Sequence, residues 1–490
     1  MSKNNQNSAA KRASGDKAIV AALIIIAILV VGVFAVSIFQ NIRTSSGAYL
    51  RAQVAASTNN TAVEGEADNS IEVDGAMMNY FFNENYNNFL NYYGSYISYI
   101  GLDPSISLKY QYTSEEQTET WFDYIMSGAK QNVSSLLTIN KAAIADGFSL
   151  TDAEKTAIKA RTKDMDTSLY GKGVKKDDIY NALCIEALAY KYQIAKELEL
   201  APSEETITKY YEKDVKNYQF VDALTFSLNY IDPESTEKTT ATLTKEEAKE
   251  YIDKLAAATD AESFKTLAKE ATLAAEPEIP EENLNSRIKA LETIGKTYSD
   301  DDFSKWAFGE EAAANATYTE DSEADSAFTV YMLTKTPYRS EADTVNVRHI
   351  LLVANDEKAM TKAHKKAEEI LADFKAGDAT AEAFGLLALE YSEDTGSSYS
   401  GGLYNNVAPG EMVEAFDAWC FDESRVPGDT GIVETEYGVH VMYYVDDGLT
   451  DWQASVSLDI INEALTALST EWEAAYTVEF DPNVLAAIPG

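Results

Sequence analysis

The stretch VRHILL, residues 347–352, sets His349 in an alternating, strand-like run with Val347 and Leu351 on the same side. The chain has only three histidines, His349, His364 and His440. Any chemistry that needs an imidazole is therefore confined to residues 349–440. His440 stands in a second strand-like run, GVHVMYY, residues 438–444. Two internal histidines in one sheet can simply satisfy each other's ring nitrogens, or they can form a polar network that serves an active site. His364, in KAHKKAEEI, reads as a solvated residue on a helix. Cys184 and Cys420 lie far apart in apolar stretches and read as buried thiols. There is no CxxC and no His/Cys spacing suited to zinc, so neither a metal site nor a cofactor is expected.

The elements that carry these histidines recur. DDFSKWAF (301–308) matches EAFDAWCF (414–421), with Phe303, Trp306, Phe308 and Glu310 falling at one constant offset onto Phe416, Trp419, Phe421 and Glu423. Upstream, residues 248–271 and 367–390 share one plan of helix, Asp-containing break and helix. Downstream, FTVYML (328–333) parallels VHVMYY (439–444) as a closing strand. The spacing predicts two copies of an α+β unit of about 110 residues. The first copy has no histidine: Thr329 matches His440, and Ser299 lies where Met412 would be. Trp419, present in both copies, reads as core.

In the second copy, VRHILL, YSEDTGSSYSGGLYNNVAPGEMVEAFDAWCF and TEYGVHVMYYV follow one another in the order of the parvulin family of peptidyl-prolyl isomerases, which residues 345–446 resemble. The family's motifs match His349, Ser392–Asp394, Gly401–Gly402, Gly410–Phe416 and Gly438–His440. Glu411 replaces the usual glutamine, and Tyr437 stands where small or polar residues are common. The run LYNN leaves Leu403 and Tyr404 competing for one pocket position. The resemblance implies that His349, His440 and Asp394 form a hydrogen-bonded network, and that Leu403, Tyr404, Met412, Phe416 and Phe421 bind a prolyl substrate. Isomerising an X-Pro bond breaks no covalent bond. A catalyst need only hold the ring in an apolar pocket and favour the twisted amide. The helical region before this unit and the last helix after it resemble, in architecture, the extracytoplasmic foldases of the PrsA and SurA type.

The remaining sequence sets the context. Ala18 to Phe39 is free of charge and long enough for a membrane span of about 20 residues. It reads as an uncleaved signal anchor, with a cleaved signal as the alternative. Lys3, Lys11, Arg12 and Lys17 precede it, which puts the N-terminus in the cytoplasm and the bulk of the chain outside. The formal net charge of −40 argues against nucleic acid. That charge suits solubility, or attraction of basic unfolded clients. The run YFFNENYNNFLNYYGSYISYI (80–100) is either inter-helix core or an aromatic client-binding face. SLTDAEKTAIKA predicts a helix start with Thr151 as N-cap and Glu154 three residues on.

The fold expected is α+β. It comprises a cytoplasmic tail (1–17), a transmembrane anchor (18–39), a flexible stalk (40–70) and a helical chaperone-like domain (71–220). A degenerate parvulin-like unit (221–340), a parvulin-type isomerase unit (345–446), and a C-terminal helix and tail (451–490) packed on the helical domain complete it. The function expected is a membrane-tethered isomerase and foldase for proline-containing polypeptide clients, or alternatively a non-catalytic chaperone.

Overall fold

The computed structural model describes residues 46–59, 61, 68–231 and 241–490. The predicted tail and anchor, residues 1–39, lie outside the described residues. Among those described, no helix is long and apolar enough to cross a membrane.

The expected stalk is corrected over residues 46–59. Gly47–Arg51 is a short helix (α1) and Val54–Thr58 a strand (β1). β1 is the middle strand of a three-stranded antiparallel sheet, between β2 (Glu72–Asp74) and β11 (Val478–Phe480). The small residues that suggested a stalk are what allow this packing, since Leu50, Ala55 and Ala56 are fully buried. Arg51 closes the entry with a two-pronged pair to Asp178, Nε to Oδ1 and Nη2 to Oδ2 both at 2.7 Å.

The helical region is built on α2 (Gly75–Tyr93), α3 (Trp121–Ala145), α4 (Asp152–Asp164), α5 (Lys176–Glu199) and α6 (Glu204–Tyr211). α4 begins with the predicted capping box, Thr151 and Glu154 each satisfying the other's backbone N–H. The tyrosine-rich run divides at Gly94, whose φ of 50° ends α2. Before the break, Tyr80, Phe81 and Phe82 are core. Beyond it, in a 3-10 segment (Gly94–Ile100), Tyr96 and Tyr99 face solvent.

Two sheets of identical topology follow. The first comprises β3 (Phe220–Asn229), β4 (Glu292–Thr297), β5 (Thr317–Ser322) and β6 (Ala327–Tyr338). Its helices are α7 (Lys245–Ala256), α8 (Ala261–Ala275), α9 (Glu281–Lys289) and α10 (Asp302–Ala307). The second comprises β7 (Asp343–Val353), β8 (Leu403–Val407), β9 (Thr430–Thr435) and β10 (Gly438–Thr450). Its helices are α11 (Glu357–Ala376), α12 (Ala381–Tyr391) and α13 (Glu414–Cys420). The strand orders are β4-β3-β6-β5 and β8-β7-β10-β9, antiparallel throughout. The period of two divides β7 between two cores. Ile350 and Leu352 pack with α11 and α12, while Val345 and Val347 pack with α13 on the other face. His349 shares that second face.

The last helix, α14 (Asp451–Ala475), leaves the second sheet and returns to the helical region. Trp452 and Val456 pack with Ile207 and Tyr211 of α6, and Trp472 meets Tyr192 of α5 at 5.4 Å between ring centroids. β11 and α15 (Pro482–Ala487) then bury Val484, Leu485 and Ile488 in the helical core. Each such side chain contributes about 1.5–3 kcal/mol when fully buried. Deleting residues 451–490 is therefore expected to lower the thermal midpoint of the helical region, as read by the far-ultraviolet circular dichroism of the truncated chain. An unchanged midpoint would show that this packing contributes no stability.

Candidate functional site

The ladder between β7 and β10 pairs His349 with Met442 and His440 with Leu351. The two imidazoles are thus diagonal neighbours on one face, and their rings stack at 5.3 Å with Nδ1 to Nδ1 at 3.1 Å. Both are buried. His349 Nε2 lies 2.8 Å from Asp394 Oδ2 and 3.1 Å from Ser397 Oγ. At the other end, His440 Nε2 is 2.8 Å from Thr435 Oγ1. Asp394 Oδ2 also accepts from the Ser397 and Tyr404 hydroxyls, the latter at 3.0 Å, and Oδ1 accepts from the Gly396 N–H at 3.0 Å.

One tautomer pattern satisfies every member of this chain. Thr435 donates to His440 Nε2, His440 Nδ1–H donates to His349 Nδ1, and His349 Nε2–H donates to the Asp394 carboxylate. Burial and the neighbouring His349 push the His440 pKa down to about 4, so its ring is neutral near pH 7. Burial alone would raise Asp394. The hydrogen bonds from His349, Ser397 and Gly396 overcome it and hold the carboxyl well below its ordinary range. Burial and that same carboxylate push the Tyr404 hydroxyl up to about 12. The site joins the negative Asp394 carboxylate, through His349, to the neutral ring of His440.

Phe416 of α13 meets both imidazoles edge-to-face, at 5.5 Å from His349 and 5.4 Å from His440. It is buried, whereas Tyr404, Met412 and Phe421 are half-buried around the same cluster. Leu403 is not among them. It pairs with Arg348 across the ladder, and Tyr404 pairs with Val347. The alternation sends Tyr404 to the histidine face and Leu403 to the opposite one. The expectation that Leu403 shares this pocket is corrected by that register. His364 is half-exposed on α11, 3.5 Å from Glu434 and 3.7 Å from Glu368, and takes no part.

Gly402 lets the Asp394 loop close on the sheet. Its φ is +73°, its carbonyl accepts from the His349 N–H at 2.8 Å, and a Cβ there would sit 2.1 Å from the His349 carbonyl oxygen. Arg348, on the far face, donates from Nη1 to the carbonyls of Ser400 and Gly401, each at 2.8 Å.

Residues 331–447 match the family model of the PPIC-type PPIASE domain. This part of the chain is a PPIC-type, parvulin-like domain. Foldase protein PrsA 1 of Listeria innocua is 31% identical over 172 residues, 34% of this chain and 54% of that protein. Chaperone SurA of Pseudomonas putida is 34% identical over 113 residues, 22% of this chain and 24% of that protein. The chain thus spans about half the length of the first of these curated relatives and about a quarter of the second. A solved peptidylprolyl isomerase (PrsA) from Bacillus anthracis is 14% identical, with 48% of this chain and 89% of that one covered, at a TM-score of 0.19.

The first sheet lacks the second sheet's polar chain. Thr225 pairs with Tyr331 as His349 pairs with Met442, and Thr329 pairs with Ser227 as His440 pairs with Leu351. Threonines therefore stand at both histidine positions. Aromatic rings occupy this face: Phe303 lies 4.2 Å from Tyr331, and Trp306 stacks on Tyr318 at 5.3 Å. Ser299 bonds to Asp301 and Ser304.

Sequence reading missed Ser397, Thr435 and the hydrogen bond made by Tyr404. Ser397 carried one usable signal, its place three residues after Asp394 in a loop that ends on Gly-Gly.

Proposed function

We propose that this chain is a peptidyl-prolyl cis-trans isomerase and folding factor for polypeptides outside the cytoplasmic membrane. The observation that carries the reading is the buried chain Thr435–His440–His349–Asp394 walled by Phe416, inside a PPIC-type domain. In this reading Met412 and Phe421 seat the proline ring, with Tyr404 at the border between the apolar seat and the carboxylate. Phe416 backs the seat. The fixed dipoles and the Asp394 charge shape the field at the prolyl carbonyl, and desolvation favours the twisted amide, which is less polar than the planar one. Isomerisation breaks no covalent bond, so no covalent step is assigned to Asp394.

A proline-peptide exchange assay on the full chain tests this. Met412→Ala removes apolar contact worth on the order of 1–3 kcal/mol, so kcat/KM should fall about 5- to 150-fold with little change in melting. Asp394→Ser should slow the reaction without abolishing it. The isolated segment 345–446 should keep activity, at a rate below that of the full chain, and the isolated segment 221–340 should have none. Equal rates from both segments would sink the assignment of chemistry to the histidine face.

A second reading, chaperone activity without catalysis, is favoured by one observation. Tyr92, Tyr96, Tyr99 and Tyr110 of the helical region are 85%, 69%, 85% and 78% exposed. Such a surface suits aromatic and apolar segments of unfolded clients. Suppression of client aggregation by Met412→Ala at the wild-type level would separate this activity from catalysis. Tethering through residues 18–39 rests on their uncharged length and the lysines and arginine before them. Protease added to intact spheroplasts should then remove residues 40–490, and protection of that part would overturn the topology.

A further inference from the structure

The loop of residues 392–402 touches the histidines with one side and the helical region with the other. Asp394 and Ser397 meet His349 as described. On the reverse side, Arg161 of α4 donates from Nη1 to the Ser392 carbonyl at 2.8 Å and to the Leu389 carbonyl at 3.4 Å. Two residues beyond Ser397, the Tyr399 hydroxyl donates to Glu186 Oε2 of α5. The Tyr399 ring stacks on Tyr190 at 5.2 Å and 7°, with the Arg161 guanidinium 5.7 Å from its centroid.

Glu186 is 5% exposed and shares a side-chain hydrogen bond with Glu84 of α2, which in turn accepts from the Tyr80 hydroxyl at 3.1 Å. Burial, and for Glu186 the neighbouring Glu84, push both carboxyls up. Two buried carboxyls bonded to each other hold a proton between them rather than ionise together. Apolar side chains would join the two domains at least as stably as this polar cluster does. What the cluster adds is direction, because each bond fixes one atom of the loop.

We propose that Arg161 and Glu186 are positioning residues for the isomerase site, holding the back of the 392–402 loop so that Asp394 and Ser397 stay against His349. The inference rests on the isomerase reading only for its kinetic arm. The helical region thereby supports the site from behind the loop.

The test uses the full chain with 15N at its histidine rings, of which there are three. His364, on the surface of α11, serves as internal reference. Arg161→Ala and Tyr399→Phe should shift the His349 and His440 ring signals and leave His364 in place. In proline-peptide kinetics both variants should lose kcat by about tenfold or more with KM nearly unchanged, since the apolar wall on α13 is not altered. Glu186→Gln, whose amide can still accept from Tyr399 and donate to Glu84, should keep wild-type ring signals, while Glu186→Leu should not. Lower melting with unmoved His349 and His440 signals would reduce these residues to interface packing and overturn the proposal. If the wild-type chain were inactive on proline peptides, the isomerase reading would fail, and the ring signals would still decide the positioning role.

Discussion

Phe416→Ala is expected to lower the opening free energy of the β7 and β10 amides by about 3–5 kcal/mol, the usual cost of deleting a buried phenylalanine, and to remove isomerase activity at the same time. The ring is 3% exposed, so truncation leaves a cavity in the face shared by Val345, Val347, Cys420 and Met442. It also removes the edge that touches both imidazoles. Native-state hydrogen exchange reads the first effect strand by strand, which matters in a chain whose domains need not unfold together. Phe416→Leu separates the two. It keeps most of the volume and should cost under about 1.5 kcal/mol, yet it loses the edge-to-face contacts that orient His349 and His440. Activity should then fall further than stability. Protection of β7 and β10 unchanged in Phe416→Ala would mean that the ring is neither core nor wall.

Much of this site could be read from the sequence because its parts are local. His349 and His440 each sit in a strand whose alternation fixes the side they face. Phe416 lies in the first turn of a short helix whose aromatic spacing recurs in the first copy. What could not be read depends on contacts distant in sequence. The hydroxyls of Ser397 and Thr435 acquire their roles only when the loop closes on β7 and when β9 pairs with β10. Leu403 and Tyr404 are adjacent apolar candidates, and only the register against Arg348 and Val347 separates them. Residues 46–59 look like linker because their burial is supplied by β2 and by β11 at the other end of the chain. The tyrosine-rich run was ambiguous because it serves both ends, core at Tyr80–Phe82 and exposed at Tyr92, Tyr96 and Tyr99.

The difference in unfolding free energy between wild type and His440→Gln is expected to shrink by about 3 kcal/mol as pH falls from about 6.5 to about 4. The His440 pKa is lowered from 6.5 to about 4 by burial and by the neighbouring His349. In this window the unfolded chain takes up a proton at residue 440 that the folded chain refuses. Stability therefore rises with pH here, and what the neutral ring contributes is lost on acidification. A displacement of this size corresponds to about 3 kcal/mol. Below the ordinary aspartate range the depressed Asp394 carboxyl adds a second loss of the same sign. Glu84 and Glu186 act in the opposite sense, since their raised pKa values make the folded chain bind protons first. The raw profile of either protein is consequently flattened, and only the difference between the two isolates His440. Glutamine keeps one donor and one acceptor near the ring nitrogens and does not titrate. Direct titration of the ring by nuclear magnetic resonance provides the independent check. A His440 that titrates near 6.5 would mean that the ring is hydrated, and the directed chain of hydrogen bonds from Thr435 to Asp394 would have to be abandoned.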